Sequence, residues 1–175
     1  ANRKSLCFIL RHPPKRIFRK KLHILFLREE NPDMNGNAEL LNFIYQNSQM
    51  GVETMEQLGG ITKDCEFRSF LEKQQEGYLL FHRKAKELLC ESGYDEKGLG
   101  SLEKLRTYLM INIQTMMDKS TSHMAEMLIN GSTMGITDAI KKINQYQGAE
   151  TRILDLMEEL QKFEEKSLEK LKGFL

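Results

Sequence analysis

The stretch Ser48-Gln49-Met50-Gly51-Val52 returns 84 residues later as Ser132-Thr133-Met134-Gly135-Ile136. At the same offset, Glu66-Phe67-Arg68 falls on Glu150-Thr151-Arg152. Each Met-Gly copy sits midway along an apolar-periodic segment, and each is followed by a second helical segment. Two anchors in the same order at one offset describe a duplicated helix hairpin. A lone hairpin cannot bury its apolar face, so two copies packing together is the economical outcome. The repeat constrains architecture far more than activity.

Proline usage points the same way. All three prolines lie in the first 32 residues, which leaves the remaining 143 free to form uninterrupted helices. No stretch alternates convincingly with period two, so no strands are expected. A chain of 175 residues has room for one domain with a real core. Its 40% hydrophobic and 29% charged content is ordinary for a soluble globular chain. Cys7, Cys65 and Cys90 form no CxxC pair and no even framework, which fits a reduced, cytoplasmic setting. Cys65 and Cys90, near opposite ends of one helical segment, lie about 35 Å apart by helical rise and cannot share a site.

The net charge of +1 hides an asymmetry. Residues 1–33 hold nine Lys/Arg against three Asp/Glu, a net of +6, while the other 142 hold 17 against 22, a net of −5. An acidic body argues against nucleic acid binding by residues 34–175. The first segment carries a basic turn, Arg11-His12-Pro13-Pro14-Lys15-Arg16, and a short apolar run, Leu22-His23-Ile24-Leu25-Phe26-Leu27. That run is too short to span a membrane, and neither a longer apolar core nor a small-residue cleavage site accompanies it. A basic arm meeting acidic lipid or nucleic acid is one reading. The favoured one takes Arg28-Glu29-Glu30 as a purine-rich ribosome-binding site translated in frame, with Met34 as the natural start. Intact-mass measurement of the native protein decides between them.

Five helical segments follow. Asn35 or Asn37 is expected to cap the first, from about Ala38 to Leu58, with Leu41, Ile44, Ser48, Gly51, Met55 and Leu58 as its seam. Gly59-Gly60 is expected to end it. Asp64 caps the second, whose seam runs from Phe67 through Leu71, Gln74, Tyr78, Phe81 and Ala85 to Leu88, with Ser92-Gly93 as the stop. A third starts at Ser101 with Leu102, Leu105, Leu109, Ile113 and Met116 on one side. The fourth spans about Ser122 to Tyr146, and the fifth about Ala149 to Phe174 with Ile153, Met157, Leu160, Leu168 and Leu171 inward. The acid runs Glu158-Glu159 and Glu164-Glu165, set among Lys162, Lys166 and Lys170, describe a solvated face with i,i+4 pairs. Most of Met110, Met116, Met117, Met124, Met127 and Met134 are expected in the core, with any exposed subset forming an adaptable protein-binding face.

Glycine inside a helix costs about 0.5–1 kcal/mol relative to alanine. Gly51, Gly135 and Gly131 therefore imply close helix–helix approach, or room for a ligand at the centre. Together with Gln46, Ser48, Asn130 and Ser132 they form the expected small and polar cluster of the bundle centre.

A duplicated helix hairpin with a long crossover resembles the ferritin-like superfamily. More narrowly, residues 34–175 resemble the small uncharacterised ferritin-like proteins of spore-forming, Gram-positive bacteria. The likeness rests on the Met-Gly motifs, on Tyr108-Leu109-Met110-Ile111-Asn112 and on the segment from Ala125-Glu126-Met127-Leu128 to Gly135. It implies an all-α, ferritin-like four-helix bundle with an extra crossover helix.

Ferritin-like enzymes hold two iron ions with a Glu on each of two helices and Glu-x-x-His on the other two. Glu-x-x-His occurs nowhere in this chain. If Gln46 takes the first-helix ligand place, its repeat mate is Asn130, and both are amides. His82 is preceded at three residues by Leu79, and Phe163-Glu164-Glu165-Lys166 offers no His. The remaining metal candidates are His82 alone, or His123 with Glu126 one turn on, helped by Glu53, Glu39 or Asp138. No nucleophile triad, phosphate loop or zinc spacing is present. The expected role is therefore structural or interaction-based, without catalysis or cofactor, as a homodimer or with another helical protein. The alternatives are a metal-binding member with an unconventional site, and a binder of lipid or a small hydrophobic ligand at the bundle centre.

Overall fold

Two local signals set the helix boundaries most firmly. Asp64 is extended and its carboxylate accepts from the N–H groups of Glu66 and Phe67, which starts one helix. Ser120 accepts from His123 N–H and starts another. Gly93, at φ 66°, closes the first of these in the left-handed conformation that glycine adopts without strain. The computed structural model of the chain describes residues 32–96 and 102–175. The expectations for residues 1–31 and for Ser101 as the start of the third helix lie outside the described residues.

The described residues are all-α. They form α1 (Pro32–Ile61), α2 (Cys65–Ser92), α3 (Glu103–Gln114), α4 (Thr121–Gln145) and α5 (Thr151–Leu171), with a 3-10 turn at Lys172–Phe174. α1 extends beyond its expected bounds at both ends. Pro32 is tolerated at the first position of a helix, where its missing N–H had no partner to lose. Asn37 consequently lies inside α1 and does not cap it. At the other end α1 runs through Gly59-Gly60, which therefore do not stop it.

Side-chain pairs fix the directions of the four long helices. Along α1 and α2, Tyr45 meets His82 and Gly51 meets Tyr78, so the two are antiparallel. Gly36, Glu39 and Asn47 of α1 lie by Tyr146, Lys142 and Gly135, which makes α4 antiparallel to α1. Asn37 pairs with Glu150 and Asn47 with Glu164, so α5 runs parallel to α1. The long helices thus run up, down, down and up, with short α3 on the crossover.

α1 touches all four of the others. The expected seam Leu41, Ile44, Ser48, Met55 and Leu58 is buried, with Gly51 half-buried. A second row, Leu40, Phe43, Asn47, Met50 and Thr54, is buried as well. On α2, Leu89 is buried and Leu88 only half-buried, a drift expected when a 3.6-residue helix is read with a 3.5-residue repeat. Of the six methionines on the α3–α4 stretch, Met124 and Met127 are buried, Met116 and Met134 half-buried, and Met110 and Met117 exposed.

Candidate functional site

α5 buries Ile153, Met157, Leu160, Glu164, Ser167 and Leu171, an unbroken 4-3-4-3-4 spacing. That seam carries a carboxylate into the core. Glu164 is 2% exposed, so its place on a solvated face is corrected. Its neighbours do fit the surface reading: Lys162 pairs with Glu158, and Gln161 donates to Glu165. Leu168, expected inward, is half-buried because Ser167 takes the inward position.

Each of the four long helices contributes to the surroundings of Glu164. From α1, Asn47 Nδ2 donates to Glu164 Oε1 at 2.6 Å. From α2, Tyr78 Oη donates to the same oxygen at 3.3 Å. From α4, Gly135 supplies a notch, since a Cβ built there would lie 3.1 Å from Glu164 Oε2. Oε2 itself is buried without a hydrogen-bond partner, as is Oε1 of Gln74. Burial pushes the Glu164 carboxyl up to about 7, against the opposing pull of the bonds from Asn47 and Tyr78. The Tyr78 hydroxyl is held well above its usual range, first by burial and then by the Glu164 charge.

The repeated glycines are explained by this centre. A Cβ on Gly51 would come within 2.5 Å of the Tyr78 ring. Its repeat mate Gly135 admits Glu164, so each Met-Gly motif makes room for a side chain of the next long helix. Gly77 does the same for Phe163, whose ring meets Tyr78 edge-on at 5.1 Å. Gly131 faces Leu109 of α3, 3.0 Å from a built Cβ. Beside Glu164 lies a hollow of about 30 Å³, lined also by Asn47, Thr54, Tyr78, Gly131 and Ser132.

Several expected site residues stand elsewhere. Asn130 is exposed, and Gln46, though buried, does not line the hollow. Adjacent Asn47 takes the central place that the repeat had assigned to Gln46. Ser48 donates to the Ile44 carbonyl of its own helix. His82 stacks on Tyr45 with ring centroids 4.3 Å apart, and its Nδ1 lies 3.1 Å from the Tyr45 carbonyl oxygen. Glu53 accepts from Gln49, Glu39 and Asp138 pair with lysines, and Glu126 is exposed near the start of α4. These metal candidates do not converge. Among the described residues no group of three or more His, Cys, Asp or Glu side chains is placed to hold a metal ion.

The inward spacing of α5 was the signal for Glu164, and the second buried row of α1 was the signal for Asn47. Compared with known proteins, the chain matches no family model, no curated protein and no solved structure. No helix of the described residues is long and apolar enough to cross a membrane.

Proposed function

We propose that residues 34–175 form a ferritin-like four-helix bundle with a crossover helix, acting through its surfaces as a homodimer and not through a metal centre. The observation that carries this is the make-up of the centre. Asn47, Tyr78 and Glu164 stand where helices α1, α2 and α5 meet, and Gly135 faces Glu164 and Asn47 from α4. In the ferritin-like enzymes each of the four helices gives ligands to that region. Here a single carboxylate is present with an amide and a phenol, a set that cannot neutralise two iron ions. The residues do not fit a di-iron group. The up-down-down-up course with a helical crossover supports the ferritin-like part of the reading. Exposed Leu79 and Leu80 on α2 and Met110 and Ile111 on α3 are the apolar surface that a partner would cover.

The test is elemental analysis of the full chain purified without chelator, joined to light scattering. Well under one equivalent of iron, manganese or zinc per chain and a dimeric mass are expected. Stoichiometric metal would sink the metal-free reading, and a monomeric mass at about 50 μM would sink the dimer.

A further inference from the structure

Three residues that line the hollow beside Glu164 (Met50, Thr54 and Leu109) also line a groove of about 160 Å³ between α1 and α3. Met110, Ile113, Glu53 and Arg106 form other parts of that groove. A mostly apolar hollow holding one buried acid therefore adjoins a surface groove of mixed lining. We propose that hollow and groove together form a binding site for a short-chain primary amine, its ammonium head on Glu164 and its alkyl tail between α1 and α3.

Once ionised, the acid has no counter-charge in the hollow. Glu164 Oε2 has no hydrogen-bond partner, and no Lys, Arg or His lines the hollow. An ionised carboxylate without a partner is costly in a low-dielectric interior, and a charge-assisted N–H···O bond offsets that cost more than a neutral one. The size suits one head group, because a hollow of about 30 Å³ admits a guest the size of a water molecule and little more. Donor and acceptor numbers match as well. A primary ammonium has three N–H donors, and Glu164, Thr54 and Ser132 supply a carboxylate and two hydroxyls to the lining. Tyr78 adds an aromatic wall of the kind that attracts cations.

Water alone satisfies only part of this. It meets the hydrogen-bonding need of Oε2 but brings no counter-charge and makes no use of the groove. An alkyl chain can lie along Met50, Leu109, Met110 and Ile113, which share the groove with Glu53, Thr54, Gln57, Arg106 and Gln114. Met50 lines both, and the unbranched methionine side chain can move aside for a guest.

Isothermal titration of the full chain with n-butylammonium chloride, near pH 8.5 where the acid is ionised, tests the site. Titrations with n-butanol and tetramethylammonium chloride separate the tail from the head. The amine is expected to bind at least about tenfold more tightly than either, and Glu164→Gln to lose about tenfold. Thr54→Val preserves the shape of the lining and removes one acceptor, so a loss of about threefold is expected there even if Glu164→Gln fails to fold. Equal affinity for amine and alcohol, no amine heat at about 20 mM, or unchanged binding by a folded Glu164→Gln chain would overturn the proposal.

Discussion

Glu164 is the residue on which the chemistry of the centre turns. Its carboxyl is raised from 4.5 to about 7, so the folded chain keeps a proton that the unfolded chain releases. Stability should therefore fall as pH rises between those two values and stay low above them, by on the order of 3 kcal/mol in total. Glu164→Gln is expected to remove this slope and to be the more stable protein near pH 8. Urea unfolding of both proteins across that pH range checks it; parallel curves would show that Glu164 does not cause the slope. The glycines differ sharply at the same scale. Gly51→Leu should cost a few kcal/mol by driving a side chain into the Tyr78 ring. A change below about 0.5 kcal/mol would refute the close approach. Gly59 and Gly60 lie inside α1 with nothing within 4 Å of a built Cβ. Alanine at either should stabilise by about 0.5–1 kcal/mol in thermal unfolding, since only the helical preference changes.

Helix caps show how the elements are held. Asp64 and Ser120 cap their own helices through neighbours two or three residues away. α5 begins differently. Its start is held by Asn37, 113 residues earlier, which accepts from Glu150 N–H and donates to the Glu150 carboxylate. Asn37 is 4% exposed. Asn37→Ala should thus cost about 2 kcal/mol and Ser120→Ala about 1, because the first removes two hydrogen bonds and a buried side chain and the second one bond at an exposed cap. Chemical denaturation of the two variants gives the order, and a costlier Ser120→Ala would contradict the bracket. The same contrast explains which boundaries were legible. Local caps show in four or five letters of sequence, whereas a cap supplied by another helix leaves no local pattern.

The described residues are built around α1, buried along two rows and in contact with the four helices that follow it. α3 is at the other extreme, with Leu105 its one fully buried residue and Met110 and Ile111 exposed. Amide hydrogen exchange should accordingly be slowest over Leu40–Met55 and fastest, among the helices, over Arg106–Gln114. Equal protection of the two would show that the stability of the fold is not centred on α1. The central acid belongs to this scale too. Glu164 is buried because four helices converge on its seam position, and its ionisation is felt wherever they meet.

The sequence by itself determined the all-helical class, the number and order of the long helices and the place of the Asp64 cap. These rest on interactions that repeat every three or four residues or span a single turn. Periodicity also located most of the core, including the small residues at each Met-Gly motif. Only the tertiary structure decided that Tyr78 and Glu164 fill the two notches, that Asn47 stands at the centre in place of Gln46, and that Asn37 closes a distant helix. A polar residue within a heptad, flanked by lysines, looks alike whether it meets solvent or core. What separates the two cases is a partner on another helix, and that partner is fixed by packing over distances the local pattern does not encode.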